Sequence, residues 1–208
     1  MIAHIVPARA SEAEFIEKKS RFIGRVFPVE AEQDALTELA RLRKQYYNAS
    51  HNCYCYAVGE RGEIARYSDD GEPAGTAGLP MMDVLKKRGV TNALVVVTRY
   101  FGGVLLGASG LVRAYTRAAA DALSLAGEKH VIPAAEVAFS CPYPQWGWVQ
   151  AVIAERRWQA EVSYRDAVDV VLVVEAGMVR EVCDLIVDRS NGRIDPVVRG
   201  DAVLCRET

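Results

Sequence analysis

The chain has 208 residues, half of them apolar, with 25 Lys and Arg against 27 Asp and Glu for a net charge of −2. This is enough for one large or two small packed domains, and the near balance of charge excludes recognition of nucleic acid by overall charge, so any basic surface has to come from local clustering. With no basic segment followed by an apolar run at the start and no stretch of membrane-spanning length, a soluble, cytoplasmic protein without a membrane partner is expected.

Residues 14–17 and 21–29 read as a hairpin with Lys18, Lys19 and Ser20 at the turn, although Gly24 weakens the second strand. Recurrence of Ala35, Leu39, Leu42 and Tyr46 predicts a helix over 31–47. Strands follow at 51–58 and 63–67 around Gly59-Glu-Arg-Gly62. A first glycine-punctuated stretch, Ser68-Asp-Asp-Gly-Glu-Pro-Ala-Gly-Thr-Ala-Gly-Leu-Pro-Met81, leads into a short helix over 78–88 that Gly89 ends. The β-branched run 93–98 predicts a buried strand. A second stretch, Arg99-Tyr-Phe-Gly-Gly-Val-Leu-Leu-Gly-Ala-Ser-Gly-Leu-Val-Arg-Ala-Tyr115, opens a helix with Leu111, Tyr115, Ala118, Ala122 and Leu125 on its apolar face, ending at Gly127.

The pattern then changes. Strands at 131–139, 159–164 and 168–175 alternate with a helix at 144–156 and another marked by Val179, Val182, Cys183 and Ile186, and residues 194–205 are extended. The order βαββαβ is that of the ferredoxin-like fold, so an α+β protein is expected, with domains at 1–129 and 130–208. The first part holds 17 cationic and 15 anionic residues, the second 8 and 12.

Five cysteines, Cys53, Cys55, Cys141, Cys183 and Cys205, with no CxxC pair argue for reduced, mostly buried thiols. His51, Cys53 and Cys55 alternate at the strand period and share one face. As ligands they lack a second cluster elsewhere, so no zinc or other metal is expected. Asp69, Asp70, Gly71 and Glu72 carry the chemistry for a hard cation but not the EF-hand spacing, and a tight turn whose Asp side chains bond nearby backbone is the competing account. The loop from Gly102 through Gly103 and Gly107 to Gly110 lies between a strand and a helix, where unpaired amides favour phosphate. It is neither GxGxxG nor GxxxxGK[ST], so no ATP, NAD or other cofactor is indicated. On the following helix Arg113 and Arg117 are four apart on the polar face. A nucleophile at Ser68, Ser109 or Cys53 with His51 as base would have few ways to be assembled, and there is no GxSxG elbow.

These residues resemble the IMPACT family in its bacterial, YigZ-type form: Lys19-Ser-Arg-Phe22, His51 with Cys53, the whole of Ser68 to Gly78 with Pro80-Met81, Arg99 to Gly107, and Gly110-Leu-Val-Arg-Ala-Tyr115. The blocks cover about residues 15–120. Ala108-Ser109 departs from the additional glycine many members carry. The resemblance implies a first domain like the second domain of ribosomal protein S5 and a ferredoxin-like second domain, a pair similar to the last two domains of elongation factor G. It implies a setting in translation. Eukaryotic members compete for the activator of a stress-responsive kinase through a further N-terminal domain, and that role is not expected of a chain that begins at the shared domain.

Three functions follow as expectations. The first is a translation-associated regulatory factor that binds RNA or the ribosome without catalysis, its phosphate contacts drawn from Lys18, Lys19, Arg21, Arg99, Arg113 and Arg117 with Tyr100 and the loop glycines Gly102, Gly103, Gly107 and Gly110. The second is an enzyme or small-ligand protein using a cleft between that loop and the motif residues Ser68, Asp69, Asp70, Gly71, Glu72, Gly75, Thr76 and Gly78. The third is a regulator of translation with a protein partner.

Overall fold

The computed structural model describes residues 1–207. The chain divides into two compact units, one built chiefly from Ala3–His130 and the other from Val131–Cys205.

The first unit contains β1 (His4–Pro7), β2 (Ser11–Glu17), β3 (Ser20–Pro28), α1 (Glu32–Gln45), β4 (His51–Val58), β5 (Ile64–Ser68), α2 (Gly78–Arg88), β6 (Ala93–Tyr100) and α3 (Ala108–Ala126). Its sheet runs β2-β3-β6-β4-β5 with every neighbour antiparallel. Strand alternation sorts the side chains. Phe22, Val26, Cys53, Cys55, Val95 and Val97 face α2 and α3, whereas Tyr56, Val58, Leu94 and Val96 pack with Ala35, Leu39 and Leu42 of α1. The sheet is thus buried from both sides.

Local chemistry sets the ends of the helices. Asp34 at the third position of α1 reaches back to accept from the Ala31 amide at 2.9 Å. Gly89 ends α2 in the left-handed region at φ 65°, where a side chain would be strained. Gly24 lies at the crossing of β3 and α3, and a Cβ there would fall 2.2 Å from the Ala118 carbonyl oxygen. The glycine that weakens the strand as a propensity is what lets the helix backbone approach it.

The second unit contains most of β7 (Glu128–Cys141), with α4 (Tyr143–Arg156), β8 (Gln159–Tyr164), β9 (Val168–Glu175), α5 (Val179–Ser190) and β10 (Val197–Glu207). The strand order β7-β9-β8, with β10 also paired to β7, is the ferredoxin-like arrangement. Phe139, Val170, Leu172, Val182, Ile186 and Ile194 form its core. The α+β class and both architectures are those the sequence resemblance implies.

Three details differ from the sequence reading. His4–Pro7 forms a strand too short to stand out in the sequence, and the Thr91 amide donates to its Ile5 carbonyl at 2.9 Å. Leu125 is 53% exposed, and Leu123 and Ala126 take the buried positions in the last turns of α3. Ile194 is buried but precedes β10, which starts at Val197.

Candidate functional site

The two glycine-rich stretches occupy the connections β5–α2 and β6–α3. In the first, each acid is committed to the fold. Asp69 Oδ2 accepts from the Gly75 amide at 2.8 Å, and Oδ1 from the Ala77 and Gly78 amides at 3.0 and 2.8 Å. The carboxylate therefore caps α2 from nine residues upstream, satisfying amides that its N-cap, Ala77, has no side chain to bond. Asp70 Oδ2 accepts from the Asn52 amide at 2.6 Å and Oδ1 from Arg43 at 3.2 Å, while the Ser68 hydroxyl accepts from the Asp70 amide. Gly71 and Gly75 hold φ of 87° and 75°. A Cβ on Gly78 would strike the Ser68 backbone at 2.9 Å, and Thr76 donates its hydroxyl to the Pro73 carbonyl. Asp69 thus bonds nearby backbone as the tight-turn account expects, whereas Asp70 ties the loop to β4 and α1.

Glu72 turns inward. Its Oε1 accepts from Arg99 Nη1 and from the Tyr115 hydroxyl, both at 2.7 Å, and all three residues are buried. Arg99 Nη2 donates to the Ser20 hydroxyl at 3.3 Å, leaving Nε with no acceptor among the described residues. Arg99, expected to contact phosphate, is instead the interior counter-ion of Glu72. The His51 Nδ1–H donates to the Asp70 carbonyl at 2.9 Å, and its Nε2 lies 3.8 Å from Glu72 Oε1. The Cys53 thiol donates to the Asp69 carbonyl, and burial pushes its pKa up to about 12. Burial likewise pushes the Tyr115 phenol far above its ordinary value. A thiol held this firmly protonated is a packing group rather than a nucleophile. No set of three or more His, Cys, Asp or Glu suited to a metal ion occurs among the described residues.

The cations expected at the surface divide into two groups. Arg21 is paired with Glu14 through two bonds at 2.8 and 2.7 Å, and Tyr100 donates to Asn48. Lys18 and Lys19 sit at the β2–β3 turn with φ of 45° and 65°, and neither they nor Arg113 make an ion pair or hydrogen bond among the described residues. Arg117 lies 4.2 Å from the Phe15 ring centroid and 3.3 Å from Asp121. Lys18, Arg113 and Arg117 line one cavity of about 250 Å³ with Phe15, Leu106 and Gly110, opposed there by the single acid Glu17.

The second glycine loop supports that cavity. A Cβ on Gly102 would fall 2.0 Å from the Lys19 carbonyl carbon and oxygen, and the Gly102 amide donates to Ser20, so the loop is laid directly on the hairpin turn. Gly103 and Gly107 take φ of 81° and 74°, and Gly107 precedes α3 without a side-chain cap or an acid in the first turn. The local field there favours an anion.

Residues 18–123 match the Impact N-terminal domain family and residues 139–193 a domain of unknown function, DUF1949. IMPACT family member YvyE of Bacillus subtilis is 37% identical over 189 residues, covering 89% of this chain and 86% of the relative. IMPACT family member YigZ of Escherichia coli is 34% identical, covering 74% and 77%. Protein IMPACT of Mus musculus is 32% identical over 111 residues, which is 51% of this chain and 32% of the mouse protein. A solved structure described as "Crystal structure of an hypothetical protein" superimposes with TM-score 0.61 at 29% identity, covering 96% of this chain and 98% of the other.

Proposed function

The chain belongs to the IMPACT family, and from that membership we propose that it is a translation-associated regulatory factor that contacts the phosphate backbone of RNA, free or within the ribosome, without catalysis. One observation carries the proposal: Lys18 from a hairpin turn and Arg113 and Arg117 from α3 converge on one cavity, and two of the three have no protein partner among the described residues. Unpaired cations on a shaped surface lose little on meeting phosphate, and they release counterions when they do. Lys19 extends the same surface.

The enzyme alternative loses its reagents in the same geometry. Asp69 and Asp70 are tied to backbone amides, Glu72 to Arg99 and Tyr115, and Cys53 is kept protonated. These residues are engaged in holding the loop and the interior of the fold rather than in a reacting constellation. The setting proposed is cytoplasmic; no helix among the described residues is long and apolar enough to cross a membrane. Titration of labelled RNA and of purified ribosomes with the protein over a salt series tests the reading. Binding that weakens with salt and depends on Lys18 and Arg113 supports it.

A further inference from the structure

We propose that the loop from Phe101 to Gly107 is a platform for the unpaired bases of single-stranded RNA, which stack on Phe101 and lie against Val104 and Leu105. This rests on the phosphate-binding reading above and adds the form of RNA that the site takes.

Three large apolar side chains stand out of one seven-residue loop: Phe101 is 48% exposed, Val104 39% and Leu105 80%. The loop has not simply collapsed outward, because Leu106 packs against the main core and the Phe101 amide donates to Ser50 at 3.0 Å. Anchored at both ends, it holds the intervening side chains in water. The Arg99 guanidinium carbon lies 5.4 Å from the Phe101 ring centroid, so the ring is braced by a buried cation while half of the residue stays accessible.

Charge identifies the occupant. The close approach of Gly102 to Lys19 puts this apolar tip beside two unpaired lysines, and Leu106 joins it to the cavity of Lys18, Arg113 and Arg117. The ligand that fits presents flat apolar faces and regular negative charge together. A single strand does so, since its bases are free to stack and its phosphates follow at each residue; a duplex keeps its bases inside. Stacking on one aromatic ring is tolerant of base identity, so a preference for strandedness rather than for sequence is expected.

The test is fluorescence anisotropy of the full chain with a short labelled oligoadenylate and with the duplex it forms with its complement, at one fixed salt concentration. The wild type should prefer the single strand. Phe101→Ala should weaken single-strand binding about tenfold and leave duplex binding unchanged. Phe101→Trp should keep the affinity, and its added indole fluorescence should be quenched by the oligonucleotide, which reads stacking even where the alanine variant folds poorly. Equal affinity for both forms with Phe101→Ala unaffected would overturn the platform and leave the phosphate reading standing. Failure of both RNAs to bind, or binding to phosphatidylserine vesicles in place of RNA, would overturn both.

Discussion

Glu72, in the loop before α2, and Arg99, at the end of β6, form a buried ion pair with 2.7 Å between Oε1 and Nη1. Both side chains are out of water, so removing one charge leaves the other uncompensated. Glu72→Gln keeps the shape and an acceptor oxygen but strands the guanidinium, and should cost about 3–5 kcal/mol in urea denaturation. Tyr115→Phe removes a hydrogen bond to the same oxygen and should cost about 1–3 kcal/mol. A Glu72→Gln protein as stable as wild type would mean that the pair does not hold the loop.

Asp69 makes a second, separable prediction. Its two oxygens serve two amides at the start of α2 and the Gly75 amide in the loop before it. Asp69→Asn retains one acceptor oxygen, and Asp69→Ala retains none. Loss of a cap typically costs about 0.5–2 kcal/mol and charge-assisted bonds add to it, so alanine should be the more damaging and asparagine intermediate. Thermal denaturation of the pair orders them; the reverse order would contradict the capping role.

The Cys53 thiol ties stability to pH. Its pKa in the folded protein is pushed by burial from the ordinary 9.0 to about 12. A group whose folded pKa is raised contributes stability that is fully present below the unfolded value, here about pH 9, and lost as pH rises through the folded value near 12. Stability should therefore decline across that alkaline window, and Cys53→Ala should make the decline shallower. In native protein a thiol reagent should label exposed Cys205 first and half-buried Cys183 next, reaching Cys53 and Cys55 only after unfolding.

Gly102 and Gly103 are neighbours with different tasks. A methyl group on Gly102 meets the Lys19 backbone at 2.0 Å, whereas one on Gly103 meets open space and only the strain of φ 81°. Gly103→Ala should cost about 1–2 kcal/mol. Gly102→Ala should cost more and also weaken RNA binding, because it separates the cationic turn from the loop. Equal effects on binding would contradict the close-approach role.

How much of this was legible before the fold was known depends on whether a residue's partner is nearby in sequence. The helices over 31–47 and 78–88 and the βαββαβ order are readable because period and capping are local properties. Gly24 reads as a defect because its reason, the Ala118 backbone, is distant in the chain. Arg99 is misassigned to phosphate contact for the same cause: nothing in the spacing tells an arginine that meets a phosphate from one that meets the Glu72 carboxylate 27 residues away. Lys18, Arg113 and Arg117 are on the expected list by residue type, but the cavity they share comes from the packing of β2 against α3. The apolar exposure of Val104 and Leu105 carries no sequence signal, since glycine-rich loops with leucine also occur buried.

The most direct measurement is the salt dependence of RNA affinity for the wild type and for the Lys18→Ala/Arg113→Ala double variant. Both residues lie at the surface without protein partners, so folding should survive. The wild-type affinity should fall linearly on a log–log plot as salt rises, and the double variant should bind more weakly with a slope shallower by about one to two units, since each phosphate contact contributes roughly 0.7–0.9. A wild-type protein whose RNA and ribosome binding is absent or indifferent to salt, or a double variant with an unchanged slope, would contradict the account.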